Sequence, residues 1–369
     1  MVAAASVVVA IGTATGMIQA VGDGRGSDEA RPEVTGTPLL EPLPAVPSAS
    51  PSPTSAPPSA TPSEKPPKPS PSRTAAKRQP AAASSGLYRH PESRVLDWVR
   101  SHPGDPRRAV IEARIADRPA AVWFADYAPD TVTARVREVT SGGAAQGRVP
   151  VLVPYAIPDR DCGGHSQGGA PGLDAYDGWI DRFAAGLGGG EVIVVLEPDS
   201  VAQAECLSAG ARADRFASLA RAGRVIKQAN PRARVYFDAG HSGWNAPARQ
   251  AAWLRQAGAA SPASSDGVFS NVSNFHSTAD EIAYNRRVLD ALGGSGLGAV
   301  IDTSRNGAGA PADGEWCDPA GRKLGRAPTL DTGEARIDAY LWVKLPGESD
   351  GCTGAPGTFT PSYAYDLAR

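Results

Sequence analysis

Seven short apolar runs recur along the chain after Gly86, and their rhythm restricts the fold more than any other feature. They are Ala121-Val-Trp-Phe-Ala-Asp, Val149-Pro-Val-Leu-Val-Pro-Tyr, Val192-Ile-Val-Val-Leu-Glu-Pro-Asp, Val235-Tyr-Phe-Asp-Ala-Gly-His, Gly267-Val-Phe-Ser-Asn-Val-Ser-Asn-Phe, Ala299-Val-Ile-Asp-Thr-Ser-Arg-Asn and Ala339-Tyr-Leu-Trp-Val-Lys-Leu-Pro-Gly-Glu. Each is too short for a helix and rich in β-branched and aromatic residues, so each reads as a buried parallel strand. Helical patterns separate them. Residues 174–187 set Tyr176, Trp179, Ile180, Phe183 and Leu187 at helical spacing, and residues 212–228 and 279–292 behave alike. Strand–helix alternation implies a parallel α/β fold. Seven units in about 280 residues predict a barrel or near-barrel rather than an open sheet.

Parallel α/β folds bind ligands at the C-terminal ends of their strands. The residues at or just past those ends are Trp123, Tyr155, Asp161, Asp199, Asp238, His241, Trp244, Asn271, Asn274, Arg305, Asn306, Lys344, Glu348 and Asp350. Carboxylates, amides and aromatics converging on one rim point to a functional site.

Two segments precede this region. Residues 1–22 are apolar and carry no charge before Asp23, as in a secretory signal peptide or an uncleaved membrane anchor, although a basic start is missing. Residues 23–85 are dense in Pro, Ser and Ala and predict an extended, disordered linker. Residues 86–369 form the expected globular domain and hold all four cysteines: Cys162, Cys206, Cys317 and Cys352. No Cys-x-x-Cys pair suggests zinc. Behind an export signal, two disulfides are expected, and all three pairings are open. With 37 basic and 39 acidic residues the chain is nearly neutral, so no nucleic-acid partner is expected.

Gly164-His-Ser-Gln-Gly168 matches the Gly-x-Ser-x-Gly pattern but lies well past a strand end, in a glycine-rich loop. A nucleophile elbow sits directly between strand and helix, and phosphate would meet Asp159 and Asp161. The stretch reads better as a loop over a ligand. His241 and His276 lack a third imidazole, which favours hydrogen bonding over metal. Several carboxylates beside tryptophans suit sugar chemistry: apolar ring faces stack on Trp, and hydroxyls bond to polar groups. Glycoside cleavage needs one protonated carboxyl and one carboxylate. Asp199, after the aliphatic run from Val192, is the candidate acid, and Asp161 the candidate like charge raising its pKa.

Tyr155-Ala-Ile-Pro-Asp-Arg-Asp-Cys162-Gly and Val194-Val-Leu-Glu-Pro-Asp199-Ser resemble the two signature segments of glycoside hydrolase family 6. Further matches follow in order: Phe237-Asp-Ala-Gly-His-Ser-Gly-Trp244, Ser270-Asn-Val-Ser-Asn274, Ile301-Asp-Thr-Ser-Arg-Asn-Gly307, Glu315-Trp-Cys317-Asp and Trp342-Val-Lys-Leu-Pro-Gly-Glu-Ser-Asp350-Gly-Cys352. The resemblance implies a distorted seven-stranded parallel α/β barrel and inverting hydrolysis of β-1,4-glucan. It implies Asp199 as proton donor and Asp161 as the residue supporting it. Asp350 is implied as base or base support, with a water chain to Asp161 as the alternative. Trp123, Trp244 and Trp316 match sugar-stacking positions, Tyr155 an aromatic beside the distorted ring, Asp238 a site carboxylate, and Lys344 and Glu348 hydroxyl-binding positions. Ser166, His241, Asn271 and Asn274 complete the expected substrate-binding set. The resemblance also implies the pairings Cys162–Cys206 and Cys317–Cys352.

Two departures stand out. Gln167 follows Ser166 where the family has a pair of small residues that position the water, and Val201 replaces a larger aliphatic. Only seventeen residues follow Cys352, leaving no room there for the long covering loop of processive members. An open cleft and endo cleavage are expected, with cellobiohydrolase action or a non-catalytic glucan-binding protein as alternatives. Expected partners are β-1,4-glucan or cello-oligosaccharide, without cofactor or metal, for a monomer secreted or tethered at the outer face of the membrane.

Overall fold

The structure is a computed structural model that describes residues 86–294 and 296–369. The expected signal or anchor and the linker lie outside the described residues. Seven strands follow the seven apolar runs: β1 (Val122–Phe124), β2 (Val151–Pro154), β3 (Val192–Leu196), β4 (Ala233–Asp238), β5 (Gly267–Ser270), β6 (Gly298–Asp302) and β7 (Ile337–Leu341). They form one sheet in the order of the chain, every neighbouring pair parallel. An order without reversal means that every crossover steps the same way. Right-handed crossovers then place the helices that connect the strands on one face. The other face has no helices to cover it and curls on itself.

The curl does not close as a ladder. β1 and β7 meet through one backbone hydrogen bond, Ala121 N to Trp342 O at 2.9 Å. The Trp123 indole reaches across the same seam to Val343 O at 2.7 Å. The fold is therefore the near-barrel that the spacing predicts and the distorted seven-stranded parallel barrel that the resemblance implies, open along one seam.

Strand alternation splits the core in two. Ile193 and Val195 point inward with Val151, Val153, Tyr236, Phe269 and Val300. Val192, Val194 and Leu196 point outward against the helices. The α-helices among the described residues are α1 (Arg94–Ser101), α2 (Arg108–Ile111), α3 (Val132–Ala145), α4 (Leu173–Ala184), α5 (Ala209–Ala229), α6 (Pro247–Gln256), α7 (Thr278–Leu292) and α8 (Pro361–Ala368), and α3 to α7 form this outer layer. The stripe predicted for 174–187 is α4, whose Tyr176, Trp179, Ile180 and Phe183 are buried. α1, α2 and α8 pack Trp98, Val99, Ile111 and Ala364 against Trp342 beside the open seam. The four cysteines pair as neighbours, Cys162–Cys206 and Cys317–Cys352. Among the described residues no helix is long and apolar enough to cross a membrane.

Candidate active site

The strand ends turn sharply. Left-handed backbone is costly for residues with a Cβ, about 1–3 kcal/mol each when held by surrounding structure. It appears here at Asp159, Asp161 and Cys162 beyond β2, at Glu197 and Asp199 beyond β3, and at Asn271 and Ser273 beyond β5. Buried carboxylates hold these turns. Glu197 is fully buried and accepts hydrogen bonds from Ala156 N at 2.9 Å and Ile157 N at 3.0 Å, tying the end of β3 to the end of β2. Asp238, ending β4, accepts from Val201 N at 3.1 Å, Ala202 N at 2.8 Å and Gly240 N at 2.9 Å. It thus fixes the turn that follows Asp199.

Asp199 makes no side-chain hydrogen bond with any described residue. Burial, then the charges of Asp238 and Asp161, hold its carboxyl well above the usual carboxylate range. The expected like charge, Asp161, is present, but Asp238 is the stronger contributor. Asp238 itself is pushed up to about 6 by burial, against the pull of its backbone donors. A carboxyl kept protonated beside two others is suited to donate a proton. Asp161 accepts Ser166 N on Oδ2 at 2.7 Å, and its Oδ1 has no hydrogen-bond partner among the described residues.

Asp350 is placed differently. Its side chain is 3% exposed and pairs with Arg305 Nη1 at 2.7 Å and Lys344 Nζ at 3.1 Å. Arg305 is fully buried over the Phe275 ring and donates to Ser273 O at 2.8 Å. Asp318 completes the cluster, accepting Asp350 N at 2.6 Å and Ser349 Oγ at 2.6 Å. Despite partial burial, these donors and those of Thr353 hold its carboxyl well below the ordinary range. Two cations and two anions thus balance in a water-poor site. Were Asp350 to take a proton, Arg305 and Lys344 would be left with one counter-charge fewer. That weighs against Asp350 as the base.

A cavity of about 1100 Å³ runs over the strand ends. Asp161, Asp199 and Asp350 line it, with Trp123, Tyr155, Ser166, Gln167, His241, Trp244, Asn274, Trp316, Lys344 and Glu348. Trp244 and Trp316 are 37% and 47% exposed, so part of each ring is open to a ligand, beside His241 and His165 respectively. Trp123 stands edge-on to Tyr155 at 5.3 Å. His241 stacks on His276 at 4.3 Å; burial, then His276, lowers it to about 3, so the imidazole is neutral. Glu348 is pushed up to about 7 by burial, opposed by Lys344 and Arg94.

Two expected substrate-binding residues do not line the cavity. Asn271 is fully buried, and its amide donates to Asp302 O at 2.9 Å and accepts His276 N at 3.0 Å. Asp238 spends its oxygens on backbone N–H groups. Both sit behind the wall and shape it, because their polar atoms are already satisfied by the protein. The sequence reading assigned no role to Glu197, Asp318 or Arg94, and named Arg305 only among the strand-end residues. Glu197 and Arg305 lie inside quoted motifs, but nothing in a motif shows which partner, tens of residues away, a side chain meets. Arg94 opens α1, ahead of the first strand, where no strand-end rule applies.

A one-way parallel barrel with a raised carboxyl among like charges and exposed tryptophans along its cleft has the parts that a glycoside hydrolase needs. The comparisons specify which kind. The sequence pattern of glycosyl hydrolases family 6 matches residues 83–365. Endoglucanase 1 of Streptomyces sp. (strain KSM-9) is 51% identical over 296 residues, 80% of this chain and 81% of that protein. Endoglucanase A of Thermobispora bispora is 48% identical over 295 residues, 79% of this chain and 64% of that protein. Among solved structures, the endoglucanase Cel6 from Mycobacterium tuberculosis, in complex with methyl-cellobiosyl-4-deoxy-4-thio-β-D-cellobioside, is similar with a TM-score of 0.71. It is 39% identical, covering 78% of this chain and 98% of that one. The chain belongs to glycoside hydrolase family 6.

Proposed function

We propose that this enzyme is an endo-β-1,4-glucanase that hydrolyses internal bonds of cellulose or a related β-glucan with inversion. The observation that carries the chemistry is Asp199, a carboxyl raised by burial and by Asp238 and Asp161, free of protein hydrogen bonds and facing the cavity. It protonates the glycosidic oxygen as the bond to the anomeric carbon breaks, and water attacks the opposite face. Asp161, with Oδ1 unengaged, takes the water's proton directly or through a second water beside Ser166 and Gln167. Asp350 keeps Arg305 and Lys344 in place instead of acting as the base.

Exposed Trp244 and Trp316 support sugar stacking, and Lys344 and Glu348 support hydroxyl recognition at the seam side of the cleft. The endoglucanase names of the relatives support internal cleavage, as does the short run from Asp350 to α8. The two disulfides and the apolar first 22 residues support export, with residues 23–85 as a spacer before a single catalytic domain.

The test is hydrolysis of cellohexaose by the full chain, followed by NMR in the first minutes. Newly formed α-anomer is expected; initial β-anomer refutes inversion. Asp199→Ala should lose about 100-fold or more in kcat, the usual worth of general acid catalysis. Undiminished activity would remove Asp199 from that role. On soluble cellulose derivatives, viscosity should fall well ahead of reducing-sugar release, whereas cellobiose alone from chain ends would mark a cellobiohydrolase.

A further inference from the structure

The loop after β4, which carries Trp244, rests on a pair of imidazoles, and one of them comes from the next unit of the barrel. Trp244 packs its ring against His241, with centroids 5.2 Å apart. His241 in turn lies flat on His276 from beyond β5, with centroids 4.3 Å apart and an interplanar angle of 18°. Burial lowers the pKa of both imidazoles, so two neutral rings meet without charge repulsion. The His276 ring makes no hydrogen bond with any described residue. Its stack on His241 is what it contributes, and all three rings line the cavity.

The backbone of His276 is pinned. Asn271 accepts His276 N on Oδ1 at 3.0 Å and donates from Nδ2 to His276 O at 3.1 Å. Asn306, from beyond β6, donates to the same carbonyl at 3.0 Å. Both amides are buried. The next residue, Ser277, caps α7 by accepting Asp280 N at 3.2 Å. The Trp244 loop closes tightly on this anchor. Ser242 N donates to Glu281 of α7 at 2.8 Å. An added Cβ at Gly243 would come within 2.6 Å of His276 Cε1, and one at Gly240 within 3.1 Å of Trp244 Cε3. Glycine at both positions lets the indole and the two imidazoles pack against the loop backbone.

We propose that His276 is a positioning residue of the cleft, and that through His241 it fixes the face that Trp244 presents there. The proposal deepens the glucanase reading and rests on it. Trp244 is exposed, so burial alone does not hold its ring. His276 supplies the fixed point, because Asn271 and Asn306 hold its backbone. Removing its ring leaves His241 a space to turn into, and the indole loses its support. This also gives Asn271 a part in the site without contact to the ligand.

The experiment compares the full chain with His276→Ala, His276→Phe and Gly243→Ala. The Ala change at 276 keeps the backbone bonds to Asn271 and Asn306, and the Phe change also keeps a flat ring under His241. Without substrate, indole N–H signals in an NMR spectrum read the stack, the Trp244 signal being the one that Trp244→Phe removes from the seven tryptophans. That signal should move in His276→Ala and in Gly243→Ala while the other indoles hold, and should move less in His276→Phe. With cellohexaose, His276→Ala should raise KM about fivefold with kcat within about twofold, and His276→Phe should return KM towards wild type. Added to Trp244→Ala, the His276→Ala change should raise KM no further, well short of the product of the two single effects. Gly243→Ala should raise KM in the wild-type background and add nothing to His276→Ala, since the ring it displaces is then gone. An unmoved Trp244 signal or an unchanged KM in His276→Ala overturns the proposal, as do effects that multiply with Trp244→Ala. Should the wild-type enzyme leave cellohexaose intact while the signal still moves, the glucanase reading falls and the positioning of Trp244 by His276 stands.

Discussion

The buried charge cluster offers a sharp quantitative test. Arg305, Lys344, Asp350 and Asp318 sum to zero charge. At 2.7 Å, the Arg305–Asp350 attraction is about 6 kcal/mol at an effective dielectric of about 20, before desolvation takes most of it back. Arg305→Met leaves the cluster at −1 with Asp350 at 3% side-chain exposure. Breaking a buried pair from one side costs about 3–5 kcal/mol. Asp350→Asn leaves it at +1 and should cost a similar amount. The double variant returns to zero charge: Lys344 keeps Ser349 O at 2.9 Å, and Asp318 keeps its own donors. Its loss should therefore fall short of the two single losses together by about 2–3 kcal/mol. Urea unfolding of the full chain, followed by tryptophan fluorescence, measures all four corners of the cycle. A coupling below about 0.5 kcal/mol, the ordinary error of additivity, would refute the claim that these charges are held as a pair. It would also remove the reason for denying Asp350 the role of base.

Glu197 gives a pH test. Its carboxyl is raised from 4.5 to about 7 by burial, against the pull of Ala156 N and Ile157 N. Above pH 4.5 the unfolded chain releases this proton while the folded one keeps it, so the group's contribution to stability falls as pH rises towards 7, by about 3 kcal/mol in all. Glu197→Gln has no such proton, so the unfolding free energy of wild type minus variant should fall by about that amount between pH 4.5 and 8; a constant difference would contradict the raised carboxyl. Trp244→Ala removes an exposed stacking face and should raise KM for cellohexaose about tenfold with kcat within about twofold, as expected for roughly 1.4 kcal/mol of uniform binding. A loss confined to kcat would place Trp244 in the chemistry instead.

The strands were legible because a parallel strand buried on both faces writes itself as a continuous apolar run, and Val192 to Leu196 is such a run. For the same reason, which face each residue takes was not legible. Ile193 and Val194 are chemically alike, yet one fills the barrel interior and the other meets the helices. The carboxylates show the complementary limit. Asp161, Asp199, Asp238 and Asp350 all stand near strand ends, and strand-end position alone does not tell them apart. Only the fold shows the Asp199 carboxyl without a protein hydrogen bond, Asp238 filled by backbone donors and Asp350 neutralised by two cations. Asn271 was expected at the ligand for its position and is consumed by Asp302 and His276. α6 carried its own start signal, proline at the first helical turn, which the sequence reading did not use.

What the sequence by itself determined was local and periodic: the alternation of seven strands with helices, and from their number and the strand-end rule the near-barrel and its ligand-binding rim. What the tertiary structure decided was the state of each charged group on that rim. A side chain's protonation and reach depend on its distance to partners 30 to 45 residues away, as for Asp318 and Asp350, Arg305 and Asp350, or Asp238 and Val201. Those distances exist only once the strands have curled together and brought separate loops into one low-dielectric place.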